Sequence, residues 1–357
     1  MLLRALGTAN PSLHVSQREA YGHFSRLFRL APDEDALYRK LLLDGPIEGR
    51  FIGMDSVEES AESDPDKLNF RFLRHARAAA AEAARRALAQ AGMEAEKVDA
   101  LVVNTCTGYL CPGLTSYVAE DLGLSRDVFP LDIMGMGCGG ALPNWQSAAG
   151  LLALPGIEVA LSISVEICTA TLFMGDEPGL VVSNAIFGDG AAASLLVSDR
   201  HPQAERAGLR VLGFASAQAP EHREQLRYRL QGGRLKNHLT IRVPALSAKL
   251  ARQAVDRLLA SAARQISDIR WWAIHAGGTS VLDKVGRRLA LPDNALDCSM
   301  RVFREYGNMS SPSVLFALDN VLRHGRPKAG ELGVVLAFGA GLTAFAALVE
   351  FTGESVE

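Results

Sequence analysis

A chain of 357 residues, 48% hydrophobic and 22% charged, can bury a large core in one big unit or two intimately joined ones. Its formal net charge of −3 argues against a general binder of nucleic acid or anionic membranes. Five cysteines without regular spacing make no disulfide framework, and the first residues hold no long apolar core of an export signal, so a reducing, cytoplasmic setting is expected.

Residues 2–7 read as a short strand that ends in the turn Thr8-Ala9-Asn10-Pro11. Helical patterns follow over 17–30 and 33–42, and 58–66 reads as an acidic, proline-containing surface loop. Residues 74–91 are Ala-rich, with arginines on the opposite face, and predict a helix. That helix leads into a strand over 98–103 and the polar turn Asn104-Thr105-Cys106-Thr107-Gly108. A strand over 128–133 then runs into Gly135-Met136-Gly137-Cys138-Gly139-Gly140, and Pro143 suits the first turn of the next helix.

The second part of the chain repeats this grammar. A helix over 246–261 precedes a strand over 266–274, which ends in His275-Ala276-Gly277-Gly278. A break at Asn308 and a helix started by Pro312 echo Cys138 and Pro143. Each half closes on paired apolar strands, 159–167 with 190–197 and 334–338 with 343–351. The order of elements therefore suggests an internal duplication with a boundary near 199–207. The uncharged run 333–349 is broken by Gly339 and Gly341, so it reads as two buried strands rather than a membrane span.

If the halves are equivalent, Cys138, His275 and Asn308 converge on the seam between them. A thiol, an imidazole and an amide there form a nucleophilic set. A thiol at a helix N-terminus also faces unpaired N–H groups that favour thiolate. Each residue taken singly has a plainer reading: Cys138 as a small core residue, His275 as a satisfied core histidine, Asn308 as a helix cap. Cys106 and Cys111 lack the paired ligands of a zinc site, and Gly188-Asp189-Gly190 is no phosphate loop.

Several motifs carry a resemblance in order along nearly the whole chain. They are Gly7-Thr8-Ala9-Asn10-Pro11, Gly137-Cys138-Gly139-Gly140, Phe187-Gly188-Asp189-Gly190, His275-Ala276-Gly277-Gly278, Tyr306-Gly307-Asn308-Met309-Ser310-Ser311 and Phe338-Gly339-Ala340-Gly341. With them the sequence resembles the type III polyketide synthases, the chalcone and stilbene synthase family of the thiolase-fold superfamily. The Tyr306–Ser311 and His275–Gly278 pieces favour that family over ketoacyl synthase III.

The resemblance implies an α/β, five-layered αβαβα thiolase-like fold built from two duplicated halves. Residues 1–203 would carry the nucleophilic Cys138, and 204–357 would carry His275 and Asn308. It further implies a homodimer, acyl-CoA and malonyl-CoA as substrates, and no metal or organic cofactor. No nucleic-acid or membrane partner is expected. Cys138 would hold the acyl chain as thioester, kept as thiolate by His275, while His275 and Asn308 stabilise the enolate formed as malonyl-CoA loses CO2.

Around them the resemblance places Phe187 as a gate, and Cys106, Thr107, Cys168, Thr171 and Ser310 in the cavity wall. Gly277, Gly278, Phe338, Gly339 and Gly341 border the same space, and Cys111 would reach across the dimer. Four of five cysteines would then line one pocket and favour an aliphatic or extended intermediate. Lys40 and Arg50, with Arg39, are the candidates for gripping CoA, although Asp44 stands where the family often has lysine. Asn237 and His238 stand near a second gate position, and Ala337 and Ala340 where plant members tend to have Gly and Pro. The alternatives are a single-condensation ketoacyl or hydroxymethylglutaryl-type synthase and a silent acyl-binding paralogue.

Overall fold

The computed structural model describes residues 1–353. The first half contains β1 (Leu2–Ala9), β2 (Leu13–Ser16), α1 (Gln17–Leu27), α2 (Pro32–Leu42), β3 (Gly49–Ile52) and α3 (Pro65–Ala91). It continues with β4 (Ala100–Thr105), α4 (Leu114–Leu122), β5 (Phe129–Met134), α5 (Ala141–Leu152), β6 (Val159–Ile167), α6 (Pro178–Ile186) and β7 (Asp189–Val197). The second half contains β8 (Leu209–Gln218), the hairpin β9 (Leu226–Gln231) and β10 (Arg234–Leu239), and α7 (Val243–Ser261). Then come β11 (Ile269–Ile274), α8 (Thr279–Leu289), α9 (Asp297–Tyr306), α10 (Ser313–Asn320), β12 (Leu332–Gly339) and β13 (Thr343–Phe351).

The strands of the duplicated plan pair in the order β11-β12-β13-β8-β1-β7-β6-β4-β5. Read outward from its middle, β8-β13-β12-β11 repeats β1-β7-β6-β4, antiparallel pairs first and the parallel pair at the end. The two half-sheets join only where Leu2 and Leu3 of β1 meet Arg210 and Leu209 of β8. Only the first half continues, with β5 parallel to β4.

Alternation along the strands sorts the core into layers. Leu3, Leu6, Val102 and Ala160 face a central cluster with Trp145 of α5, Leu315 of α10, and Val335 and Ala347 of the other half-sheet. Leu2, Ala5, Leu101 and Leu161 face outward onto α3, whose Ala76, Ala80, Ala83, Ala84 and Ala87 let it lie close. Val334, Leu336, Ala344 and Leu348 face α7 and α8 in the same way. The result is helix, sheet, helix, sheet, helix, with α5 and α10 sealed in the middle. No helix among the described residues is long and apolar enough to cross a membrane.

Three local expectations change. The helix ending at Ala91 starts at Pro65, because Asp64 caps it by accepting from Asp66 and Lys67, and proline suits its first turn. The helix expected over 17–30 ends at Leu27, and residues 266–268 form a short 3-10 turn before β11. The β9–β10 hairpin turns on Gly232 and Gly233, both at positive φ (56° and 75°).

Candidate active site

Cys138 sits in a single 3-10 turn, Gly137–Gly139, between β5 and α5. Gly137 has φ +58°, and a Cβ there would come within 2.7 Å of the Ala340 nitrogen. A Cβ on Gly339 would lie 2.4 Å from the Met136 oxygen. The nucleophile turn and the β12–β13 turn therefore touch backbone to backbone, which only glycine permits. Gly341 (φ +76°) completes the second turn.

His275 directly follows β11, and its N–H continues the parallel ladder by donating to the Leu336 carbonyl at 2.8 Å. The ring is 2% exposed, and its Nδ1 is buried without a hydrogen-bond partner among the described residues. Asn308 is not a cap of α10, which starts five residues later at Ser313. Its Oδ1 accepts from the Ser310 N–H at 2.8 Å, an Asx turn that holds Ser310 at φ +59°. That bond orients the amide, and Nδ2 reaches the Gly277 carbonyl at 3.3 Å.

Cys138, His275 and Asn308 line one cavity of about 450 Å³, with Phe187, Gly277, Gly278 and Phe338 in the same wall. Apolar side chains such as Leu37, Leu41, Val182, Ile186, Leu226 and Phe303 supply most of the rest, and no Asp, Glu, Lys or Arg among the described residues lines it. Phe187 is also a wall of a second, smaller chamber of about 60 Å³. Cys168, Thr171 and Arg50 line that chamber together with apolar residues of the N-terminal helices and β3. Phe187 thus stands between the two spaces.

The floor beneath Cys138 is polar. Glu166 of β6 is fully buried and accepts from the Cys106 N–H (2.9 Å) and from the hydroxyls of Thr105 (3.2 Å), Thr107 (2.8 Å) and Ser311 (2.7 Å). The Cys106 sulfur and the Ser310 hydroxyl, each at 3.3 Å, complete its shell. Burial raises its pKa, and these donors act against the rise. Glu166 escaped the sequence reading, although a lone glutamate inside the apolar run of β6 was a usable signal.

Burial also governs the reacting groups. It pushes the Cys138 thiol up to about 12, a rise that the Ser310 hydrogen bond opposes and the Glu166 charge reinforces. It pulls His275 down to about 4. Desolvation in the empty site thus works against the thiolate that a helix N-terminus favours.

The remaining expectations divide. Cys106 and Thr107 belong to the Glu166 network, not to the walls of either cavity. The expected single pocket of four cysteines is therefore not formed within the chain: Cys138 lines one space, Cys168 the other, and Cys111 is exposed in a loop. Lys40 is exposed on α2, whose Leu37 and Leu41 line the large cavity. Arg50 is no surface cation. It is 6% exposed and donates inward to Gln17, Asn184 and Phe187, so it is not placed to grip a phosphate. Asn237 is buried and donates to Ser183.

Known proteins match this chain throughout. Residues 55–258 match the family model described as FAE1/type III polyketide synthase-like protein, and 212–351 match the C-terminal domain of chalcone and stilbene synthases. The 3,5-dihydroxyphenylacetyl-CoA synthase of Streptomyces toyocaensis is 34% identical over 97% of this chain and 89% of its own length. The 1,3,6,8-tetrahydroxynaphthalene synthase of Streptomyces peucetius subsp. caesius is 33% identical, with 95% and 92% covered. The crystal structure of 1,3,6,8-tetrahydroxynaphthalene synthase from Streptomyces coelicolor A3(2) superposes with a TM-score of 0.90 at 25% identity, covering 99% of both chains.

Proposed function

The chain belongs to the type III polyketide synthase family, and on that premise we propose that Cys138 carries the acyl chain while His275 and Asn308 drive its extension. An acyl-CoA enters the large cavity, and Cys138 attacks its thioester carbonyl as the thiol proton passes to His275. Desolvation works against the charged form of each group, so creating the two opposite charges together lets their attraction offset two desolvation costs. The C–S bond to CoA breaks, CoA takes that proton from His275 and leaves as the thiol, and the acyl group stays on Cys138.

Malonyl-CoA then loses CO2, and the electron pair of the broken bond becomes an enolate. The Asn308 amide, set by Ser310, and the His275 ring donate to its oxygen. The enolate carbon attacks the Cys138-bound carbonyl, a C–C bond forms, and the Cys138 sulfur departs. The lengthened chain on CoA can reload Cys138 and repeat the cycle. Relatives named for dihydroxyphenylacetyl and tetrahydroxynaphthalene products favour a hydroxylated aromatic ring of resorcinol type as the outcome. The exposed edge strand β5, with Phe129 and Met134 outward, and exposed Cys111 suit a homodimer interface beside this site.

The observation that carries this reading is the convergence of the three side chains from both halves on one uncharged cavity. Incubation with acyl-CoA and malonyl-CoA, followed by mass spectrometry, should give an acyl adduct on Cys138 and condensed products. Cys138→Ala should lose both, and unchanged polyketide output from that variant would refute the assignment.

A further inference from the structure

We propose that Arg50 is a positioning residue that sets the gate Phe187 and, through it, the oxyanion donor Asn308. The inference rests on the polyketide synthase reading above, but it concerns a side chain outside the reacting set.

Arg50 lies on β3, one layer away from the large cavity. Its Nε donates to the Gln17 side-chain oxygen at 2.8 Å, and its Nη1 donates to the carbonyls of Asn184 (2.8 Å) and Phe187 (2.7 Å). Those carbonyls belong to the C-terminal end of α6, where helix acceptors lack partners and the macrodipole is negative. A buried cation there satisfies two orphan acceptors at once. It also fixes where α6 stops, and hence the direction in which Phe187, the cap residue, leaves the helix.

Phe187 passes this constraint on. It forms an isolated parallel bridge with Asn308, closed by Asn308 N–H to the Ile186 carbonyl (2.8 Å) and Gly188 N–H to the Asn308 carbonyl (3.0 Å). The stem of Arg50 packs against the neighbouring residue as well, since a Cβ on Gly307 would come within 3.1 Å of Arg50 Cγ and Cδ. One side chain therefore braces both segments that bring the gate and the amide to the cavity. Burial lowers the guanidinium to about 10, opposed by the nearby Asp189 carboxylate, so it stays charged at neutral pH. A lysine would present one point charge to three acceptors that the planar guanidinium serves along two directions.

The test compares Arg50→Lys and Arg50→Gln with wild type in the full-length enzyme. Each is assayed on malonyl-CoA and on malonyl-pantetheine, which lacks the nucleotide phosphates. Positioning predicts a kcat loss of about ten-fold or more on both substrates, a KM within about two-fold, and a shift towards shorter products. A loss confined to malonyl-CoA and expressed as raised KM would make Arg50 a phosphate contact and overturn the proposal. Unchanged kcat in both variants would overturn it too. Iodoacetamide labelling of Cys138 at the wild-type rate shows that the fold persists. If both variants unfold, Gln17→Leu removes one acceptor of Arg50 and should lower kcat about two- to five-fold at constant KM; no change there would overturn the proposal. Failure of the wild type to condense any acyl-CoA with malonyl-CoA would instead sink the polyketide reading, which separates the two outcomes.

Discussion

The two halves share a strand order but treat their reactive residues in opposite ways. The floor under Cys138 is saturated: Glu166 gathers donors from Thr105, Cys106 and Thr107 of the first half and from Ser310 and Ser311 of the second. In the second half, His275 after β11, the counterpart of β4, is nearly bare, with Nδ1 buried and unpartnered among the described residues. A saturated network fixes positions, because every displaced member leaves a buried polar group unpaired. A bare, desolvated imidazole is kept neutral instead, ready to take a proton only when a negative charge forms beside it. The nucleophile side supplies geometry and the base side supplies proton affinity that changes with the state of the site. The extra strand β5, present in the first half only, aims the chain straight into the Cys138 turn.

The largest break in this contrast comes from removing the donor that spans it. Asn308→Ala leaves Glu166 its Thr105, Cys106, Thr107 and Ser311 donors but removes both the amide donor and the acceptor that holds Ser310. Loss of one oxyanion donor costs about 10²–10³ in rate, so malonyl-CoA decarboxylation and condensation should both fall by that factor. Cys138 should still be alkylated by iodoacetamide. Steady-state assays of CO2 release together with labelling check this, and a fall in labelling equal to the fall in rate would show that Asn308 serves the nucleophile instead.

The next break is on the saturated side and reads out as stability. Glu166→Leu leaves buried donors at the end of β4 and in the loop before α10 without an acceptor, and should cost about 3 kcal/mol or more, allowing for hydroxyls that rotate away. Glu166→Gln keeps one acceptor and lets hydroxyls reverse, so about 1 kcal/mol is expected. Urea unfolding of the two variants measures the difference. Equal losses would mean that charge, not hydrogen-bond capacity, is what the floor requires.

This contrast also explains what the sequence could and could not disclose. Cys138 and His275 were legible because each stands at a glycine-marked break after an apolar strand, and Asn308 because Gly307 marks the break between α9 and the helix that Pro312 starts. The doubled order of elements was legible for the same reason, since strand and helix periodicities survive without tertiary knowledge. Arg50 was expected to grip CoA by resemblance alone, and nothing in Gly49-Arg50-Phe51 shows that the side chain turns inward. Its partners lie at residues 17, 184 and 187, and only the folded chain brings a helix end to it. Cys106 looked like cavity wall, yet its sulfur turns towards a carboxylate 60 residues away. The early start of α3 was written in Asp64-Pro65 and was obscured by the acidic run before it.

The smallest effect sharpens the base side and concerns pH. A histidine titrates near 6.5 in an unfolded chain, and burial pulls folded His275 down to about 4. Between those values the unfolded chain holds more protons, so stability falls as pH falls. The contribution is complete above about pH 6.5, reduced by about 2 kcal/mol at pH 5, and lost through pH 4. Wild-type measurements alone would understate this. Asp189, raised by burial from 3.8 to about 6, binds its proton more tightly when folded and so gains stability over much of the same window. Comparing wild type with His275→Gln cancels Asp189, which both proteins keep. The variant should lose less stability between pH 7 and pH 5 than wild type, by about 2 kcal/mol in urea unfolding. Parallel pH curves for the two proteins would mean that His275 finds a partner for its charge in the folded site, and the base side would then be as saturated as the nucleophile side.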